Sequence, residues 1–207
     1  MRRLSLIIIF FVLISGCAYN EALHQKLTEW KSLSITVINS NTRAGTCFPI
    51  APNMVLTVGH INGDELIVEG KPTKILKVDK SLDLLLLKTE HTFSKWLEIS
   101  ETNPLIGEDI VIFGHIYNWK KNTHSQYTSY GKISKYDDNF VWFDARACPG
   151  FSGSPVINMK GKVVAIVNNL YFFRFPPLGP FTPGQIIDMY SLGRDALTIR
   201  QFLGDFL

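Results

Sequence analysis

Three short stretches of this 207-residue chain hold the residue types that acyl transfer at a carbonyl requires. That chemistry needs a nucleophile, a base to take its proton, a group to orient the base, and donors aimed at the developing oxyanion. Asn53-Met54-Val55-Leu56-Thr57-Val58-Gly59-His60 ends an apolar run on a histidine beside a small residue, which leaves the imidazole at a strand edge. Val78-Asp79-Lys80-Ser81-Leu82-Asp83, followed by four leucines, sets Asp83 at the head of a strongly apolar strand. A carboxylate there needs a partner, and an imidazole N–H is a suitable one. In Cys148-Pro149-Gly150-Phe151-Ser152-Gly153-Ser154-Pro155, glycines near the serine let the backbone turn sharply, and the N–H groups of Gly150 and Ser152 could converge on one oxygen as an oxyanion hole. Each stretch also has a plainer reading: a structural histidine, a turn aspartate that starts a strand, and a Gly/Ser turn between strands.

The elements that must position these residues read as short strands. Leu33, Ile35 and Val37 alternate with smaller or polar neighbours, and further strands are expected at residues 46–50, 54–58, 65–69, 74–77, 84–88, 109–113, 129–134, 140–143, 154–158 and 163–167. Turn residues separate several of them, as in Ala51-Pro52-Asn53, Asn62-Gly63-Asp64, Asp137-Asp138-Asn139 and Lys160-Gly161. Many strands at close spacing with little helical periodicity predict an all-β barrel or sandwich. Residues 172–184 carry Pro176, Pro177, Pro180 and Pro183 and are expected to form a long loop. Residues 194–206, with Ala196, Leu197, Ile199, Phe202 and Leu203 at three- and four-residue spacings, predict a C-terminal amphipathic helix.

Taken together, the fragments resemble the trypsin-like (chymotrypsin-fold) serine proteases, most closely the bacterial HtrA/Deg branch. The family order of His, Asp and Ser is met by His60, Asp83 and Ser152. Its Thr-Ala-x-His block is similar to Thr57-Val58-Gly59-His60, and its Asp-Leu-Ala-Leu-Leu block to Asp83-Leu84-Leu85-Leu86-Leu87. The block leading to the serine resembles Asp144-Ala145-Arg146-Ala147-Cys148-Pro149-Gly150-Phe151-Ser152-Gly153, and weaker similarity lies at residues 107–114 and 130–134. The resemblance covers roughly residues 33–206. It implies two six-stranded-type β-barrels of the chymotrypsin fold, at about residues 32–100 and 101–190, ahead of the C-terminal helix. It implies an endopeptidase working through the triad His60, Asp83 and Ser152, an oxyanion hole at Gly150 and Ser152, and a protein or peptide substrate. A trypsin-fold binding lipoprotein with little or no catalysis is the alternative, because fold does not guarantee activity. No PDZ-like segment follows Leu207, so the regulatory module of many HtrA/Deg proteins is expected to be missing.

Departures from the family pattern bear on the site. Phe151 stands where digestive trypsins carry the Asp that pairs with a newly cut N-terminus, which argues against activation by that route. Ser154 stands where a second glycine is usual and would crowd the turn. Arg146 occupies the position of the acidic selector of trypsin, six residues before the nucleophile. It either faces the substrate pocket and favours acidic side chains or, since a buried unpaired guanidinium is costly, turns outward. Asn168 and Asn169 are expected to form the opposite pocket wall.

At the N-terminus, Met1-Arg2-Arg3 precedes an apolar run from Leu4 to Ile14, too short for a membrane span, which takes roughly 20 residues, and suited to a signal peptide. Leu13-Ile14-Ser15-Gly16-Cys17 resembles a bacterial lipobox, so residues 1–16 are expected to be removed, Cys17 acylated, and residues 17–31 left as a tether. Ala18 in place of Asp points toward the outer membrane, facing the periplasm. Losing Arg2 and Arg3 with the leader lowers the formal charge of +3 to +1, and no Lys/Arg block suggests a nucleic-acid partner. With 46% apolar and 19% charged residues there is enough material for a core and no sign of extended disorder. No clustered metal-ligand spacing is present, so neither metal nor cofactor is expected. An oxidising compartment would permit a Cys47–Cys148 bridge.

Overall fold

The computed structural model of the protein describes residues 21–39, 43–63, 65–118, 120–121, 123–174 and 186–207. The expected signal peptide, Cys17 and the four prolines between residues 175 and 185 lie outside them. The chain divides into a short N-terminal unit, Met1–Ser32, and a main unit, Leu33–Leu207. In the first, residues 21–32 form helix α1, with the Thr28 hydroxyl donating to the His24 carbonyl and that of Ser32 to Glu29.

The main unit is built from β1 (Ile35–Asn39), β2 (Arg43–Ala51), β3 (Met54–Val58), β4 (Leu66–Val68), β5 (Lys71–Asp79), β6 (Leu84–Thr89), β7 (Glu98–Ile99), β8 (Asp109–Asn118), β9 (Thr123–Asp137), β10 (Phe140–Phe143), β11 (Pro155–Asn158), β12 (Lys162–Arg174), β13 (Ile186–Asp195) and helix α2 (Ala196–Leu203). The first six close into a barrel in the order β1-β2-β3-β6-β5-β4. The second ring runs β11-β8-β9-β10-β13-β12 and closes through the β11–β12 pairing, while β7 adds in parallel to the outer side of β12. The protein is thus all-β, with two closed six-stranded barrels and a C-terminal helix.

Burial explains which runs became strands. Leu84, Leu85, Leu86 and Leu87 on β6 are all fully buried, although alternate residues face opposite sides of the sheet. One face fills barrel one, and α2 packs near the strand from outside, so a continuous apolar run replaces the alternation of a half-exposed strand. Barrel two closes around Ile110, Ile112, Ile133, Val141, Phe143 and Val164.

Several elements differ from the sequence-based expectation. The β8–β9 hairpin reaches Asn118 and Thr123, well beyond residues 113 and 129, through cross-strand pairs such as Ile116↔Ser125 and Tyr117↔His124. The β9 extension is polar and largely exposed, while on β8 Gly114 and His115 are buried and Ile116 and Tyr117 half-buried, so main-chain pairing rather than an alternating hydrophobic pattern sustains the pair. Residues 172–174, expected to open a loop, continue β12 and pair with β13. Arg194 and Asp195 close β13 instead of opening the helix. The Asp195 side chain accepts from the Thr198 N–H as an N-cap, so α2 starts at Ala196.

Candidate active site

His60 lies in a 3-10 turn, Gly59–Ile61, that follows β3. The Gly59 N–H donates to the Asp83 carbonyl at 3.0 Å, tying this turn to the loop that enters β6. Within that loop the Asp79 carboxylate accepts from the Ser81 hydroxyl, the Ser81 N–H and the Leu82 N–H at 2.7–3.0 Å. Those donors, the Ser81 hydroxyl foremost, hold its carboxyl below the usual range. The Arg194 guanidinium reaches from β13 to donate to the Leu82 and Ser81 carbonyls at 2.8 and 3.0 Å, its other face against the Phe140 ring. The loop so pinned puts Asp83 at φ +55, a left-handed conformation that aspartate tolerates better than most residues.

In that conformation the Asp83 carboxylate meets three donors. Oδ2 lies 2.7 Å from His60 Nδ1 and accepts from Asn168 Nδ2 at 2.9 Å, and Oδ1 accepts from the His60 N–H at 2.6 Å. With the carboxylate ionised, Nδ1 carries the imidazole proton and Nε2 holds the lone pair.

Ser152 sits between β10 and β11 in a loop whose amides are sorted by their partners. The Phe151 N–H donates to the Cys148 carbonyl at 2.9 Å, closing a turn with Pro149 at its second position and Gly150, φ +103, at its third. This is the type II arrangement, which requires positive φ at the third residue. The Gly153 N–H donates to Val167 and the Ser154 N–H to Phe151, both at 2.8 Å. Neither the Gly150 nor the Ser152 N–H donates to an acceptor among the described residues. Phe151 buries its ring in the core of barrel two, against Gly114. Ser154 is fully buried without positive φ, so its side chain needs no glycine geometry there.

His60, Asp83 and Ser152 line one cavity of about 490 Å³ with Ala147, Cys148, Pro149, Val167, Asn168, Asn169 and Leu170. A second cavity, about 360 Å³, adjoins it and shares His60, Pro149 and Ser152, with Gly150, Arg43 and Tyr117 also lining it. Asn168 and Asn169 line the first of these cavities. Arg146 is exposed and lines neither, the outward of its two orientations, with Ala145 and Ala147 buried on either side of it. Cys47 and Cys148 are free thiols, Cys47 fully buried and Cys148 partly so at the cavity wall. Burial pushes both thiols up, Cys47 much the further. His115 is buried on β8 with Nε2 2.7 Å from the Ser34 carbonyl. No group of three potential metal ligands occurs among the described residues.

Sequence reasoning missed three contributors. Asn168 was assigned to the pocket wall, but its amide also reaches Asp83. Arg194 was placed in the helix, although it braces the Asp83 loop across 112 residues of sequence. Thr46 carried no signal at all, yet its hydroxyl donates to the Gly150 carbonyl.

The family described as trypsin-like peptidase domain matches residues 45–166, more than half of the chain. A probable periplasmic serine endoprotease, DegP-like, from Hahella chejuensis is 28% identical over 128 residues, covering 56% of this chain and 27% of that protein. Its counterpart from Ectopseudomonas mendocina is 27% identical over 132 residues, covering 58% and 28%. The matched part thus spans little more than a quarter of these curated relatives. Among solved structures, the serine endoprotease from Yersinia pestis superposes with a TM-score of 0.67 at 21% identity, over 86% of this chain and 64% of that one. The Rv3671c protease from M. tuberculosis, in its active form, gives 0.63 at 17% identity, over 86% and 82%. These two likenesses establish the fold alone. The family match, carried by the stretch from β2 into β12 that includes His60, Asp83 and Ser152, identifies the chain as a member of the trypsin-like peptidase family.

Proposed function

We propose that this protein is a serine endopeptidase with His60, Asp83 and Ser152 as its triad. The observation that carries the reading is the hydrogen-bonded His60–Asp83 pair sharing a cavity with Ser152, beside two amides that have no acceptor among the described residues. Ser152 Oγ attacks the peptide carbonyl while His60 Nε2 takes its proton. The same imidazole then returns the proton to the leaving amine, and water resolves the acyl-enzyme by the reverse transfers. Asp83 fixes the tautomer and stabilises the imidazolium. The Gly150 and Ser152 amides stabilise the oxyanion, an effect for which one donor is typically worth about 10²–10³ in rate.

Ala147, Val167 and Leu170 line the cavity, and among the described residues its one ionisable group besides the His60–Asp83 pair is the Cys148 thiol, so an uncharged, apolar side chain is the favoured occupant beside the scissile bond. The names of the DegP-like relatives support a place in the bacterial envelope. The lipobox-like sequence supports an acylated Cys17 as the anchor, facing the periplasm from the outer membrane.

The test is labelling of the full-length protein in detergent with a fluorophosphonate, beside Ser152→Ala, with casein as the turnover substrate. Labelling and proteolysis that both vanish in the variant are expected. A folded wild type that neither labels nor cleaves would instead fit a binding lipoprotein on a protease fold.

A further inference from the structure

Thr46 lies on β2 of barrel one and is fully buried, yet most of its polar contacts are to barrel two. Its hydroxyl donates to the Gly150 carbonyl at 2.9 Å and accepts from the His115 N–H of β8 at 3.0 Å. Its N–H donates to the Ser152 carbonyl at 2.8 Å, and its own carbonyl accepts from the Thr57 hydroxyl at 2.8 Å. With one proton and one lone pair engaged, the hydroxyl has a single orientation.

These contacts fall on alternate peptide planes of the serine loop. The plane between residues 150 and 151 is held on one side by Thr46 and on the other by the Phe151 N–H bond to Cys148. The plane between residues 152 and 153 is held by the Thr46 N–H on one side and by Val167 on the other. The two amides left without acceptors, those of Gly150 and Ser152, belong to the intervening planes. The plane of the Ser152 amide is held by its own Phe151 carbonyl, which accepts from the Ser154 N–H at 2.8 Å, whereas the plane of the Gly150 amide has no bond of its own among the described residues and depends on the neighbouring plane that Thr46 holds.

A type II turn differs from type I mainly by rotation of its central peptide, here the one between Pro149 and Gly150. That rotation replaces the Gly150 N–H with the Pro149 carbonyl on the same side. The rotation leaves the flanking plane between residues 150 and 151 in place, so the bond from Thr46 to the Gly150 carbonyl anchors the turn against barrel one in either form.

We infer that Thr46 is a positioning residue whose hydroxyl, by holding the Gly150 carbonyl, anchors the turn that carries the Gly150 N–H and so sets where that amide sits at the oxyanion. The inference rests on the serine-endopeptidase reading. It assigns Thr46 to the chemical step and gives it no part in substrate binding.

The test uses full-length wild type, Thr46→Val, Thr46→Ser and Thr46→Cys, with fluorophosphonate labelling rates and steady-state turnover of a casein-derived fluorogenic peptide. Valine keeps the shape and the N–H bond but removes the hydroxyl. It is expected to lower the labelling rate and kcat about 10- to 100-fold while KM stays within about threefold, and serine is expected to restore both rates. Because valine also strips the acceptor from the buried His115 N–H, thermal melts accompany the kinetics. If valine prevents folding, the Cys-against-Ser comparison decides, since a thiol is a weak donor and should lose about tenfold where serine does not. An active wild type with folded Thr46→Val at full rate overturns the inference alone, as does Thr46→Ser losing as much as valine or, where valine does not fold, Thr46→Cys matching serine. A wild type that neither labels nor cleaves overturns the endopeptidase reading and the inference with it.

Discussion

Three donors share the Asp83 carboxylate, two from the His60 turn and one from Asn168. Removing the Asn168 amide leaves Oδ2 with a single partner and loosens the carboxylate that orients the imidazole. A hydrogen bond to a charged group contributes about 1.5–3 kcal/mol. Asn168→Ala is therefore expected to lower kcat about 10-fold or more with a smaller change in KM, as read from steady-state kinetics. An equal rise in KM at constant kcat would return Asn168 to the pocket wall alone. At this scale His60, Asp83 and Ser152 were legible because each stands in a local block whose neighbours constrain it. Thr46 and the second role of Asn168 were not, since a threonine or an asparagine in a strand says nothing of a partner 104 or 85 residues away.

The serine loop is held as an element by an apolar plug. Phe151 stands beside Ser152 with its ring in the core of barrel two, where Gly114 leaves it room. The pull that a buried ion pair exerts on this loop in digestive trypsins is exerted here by burial. Phe151→Ala is expected to cost about 3–5 kcal/mol in urea unfolding, with Phe151→Leu costing much less. Equal losses would mean that the ring's volume does not matter. The strand assignment fared best where burial set the pattern, as in β3 and β6. It failed for the outer half of the β8–β9 hairpin and for β13. There, polar residues paired through the main chain, with prolines near β13, hid the strand signal.

On the scale of the whole molecule, the site belongs to neither barrel. His60 and Asp83 come from barrel one, Ser152 and Asn168 from barrel two, and Thr46, Arg194 and the Asn168 amide cross between them. Loosening either barrel should therefore dismantle both the site and its partner. We expect fluorophosphonate reactivity and the far-UV CD signal to fall at the same urea midpoint, as in a single cooperative transition. Reactivity lost well before the CD signal would show that the barrels separate first. The two-barrel architecture was legible from the order of the sequence blocks. The brace from Arg194 was not, because its partners are main-chain carbonyls, which leave no trace in side-chain types.

Gly153 has φ +86, and a methyl group there would overlap the Thr46 carbonyl and the Thr57 hydroxyl. Gly150 is as confined, against the His115 carbonyl. Both positions would be intolerant in a mutational scan scored only by cellular abundance, whereas Ser152, whose hydroxyl supports no internal bond among the described residues, would tolerate alanine in the same scan. Invariance of the glycines across any set of sequences thus records the demands of folding. Only the serine between them reports whether selection has acted on the reaction, and a lineage that lost proteolysis would keep the frame and let Ser152 drift.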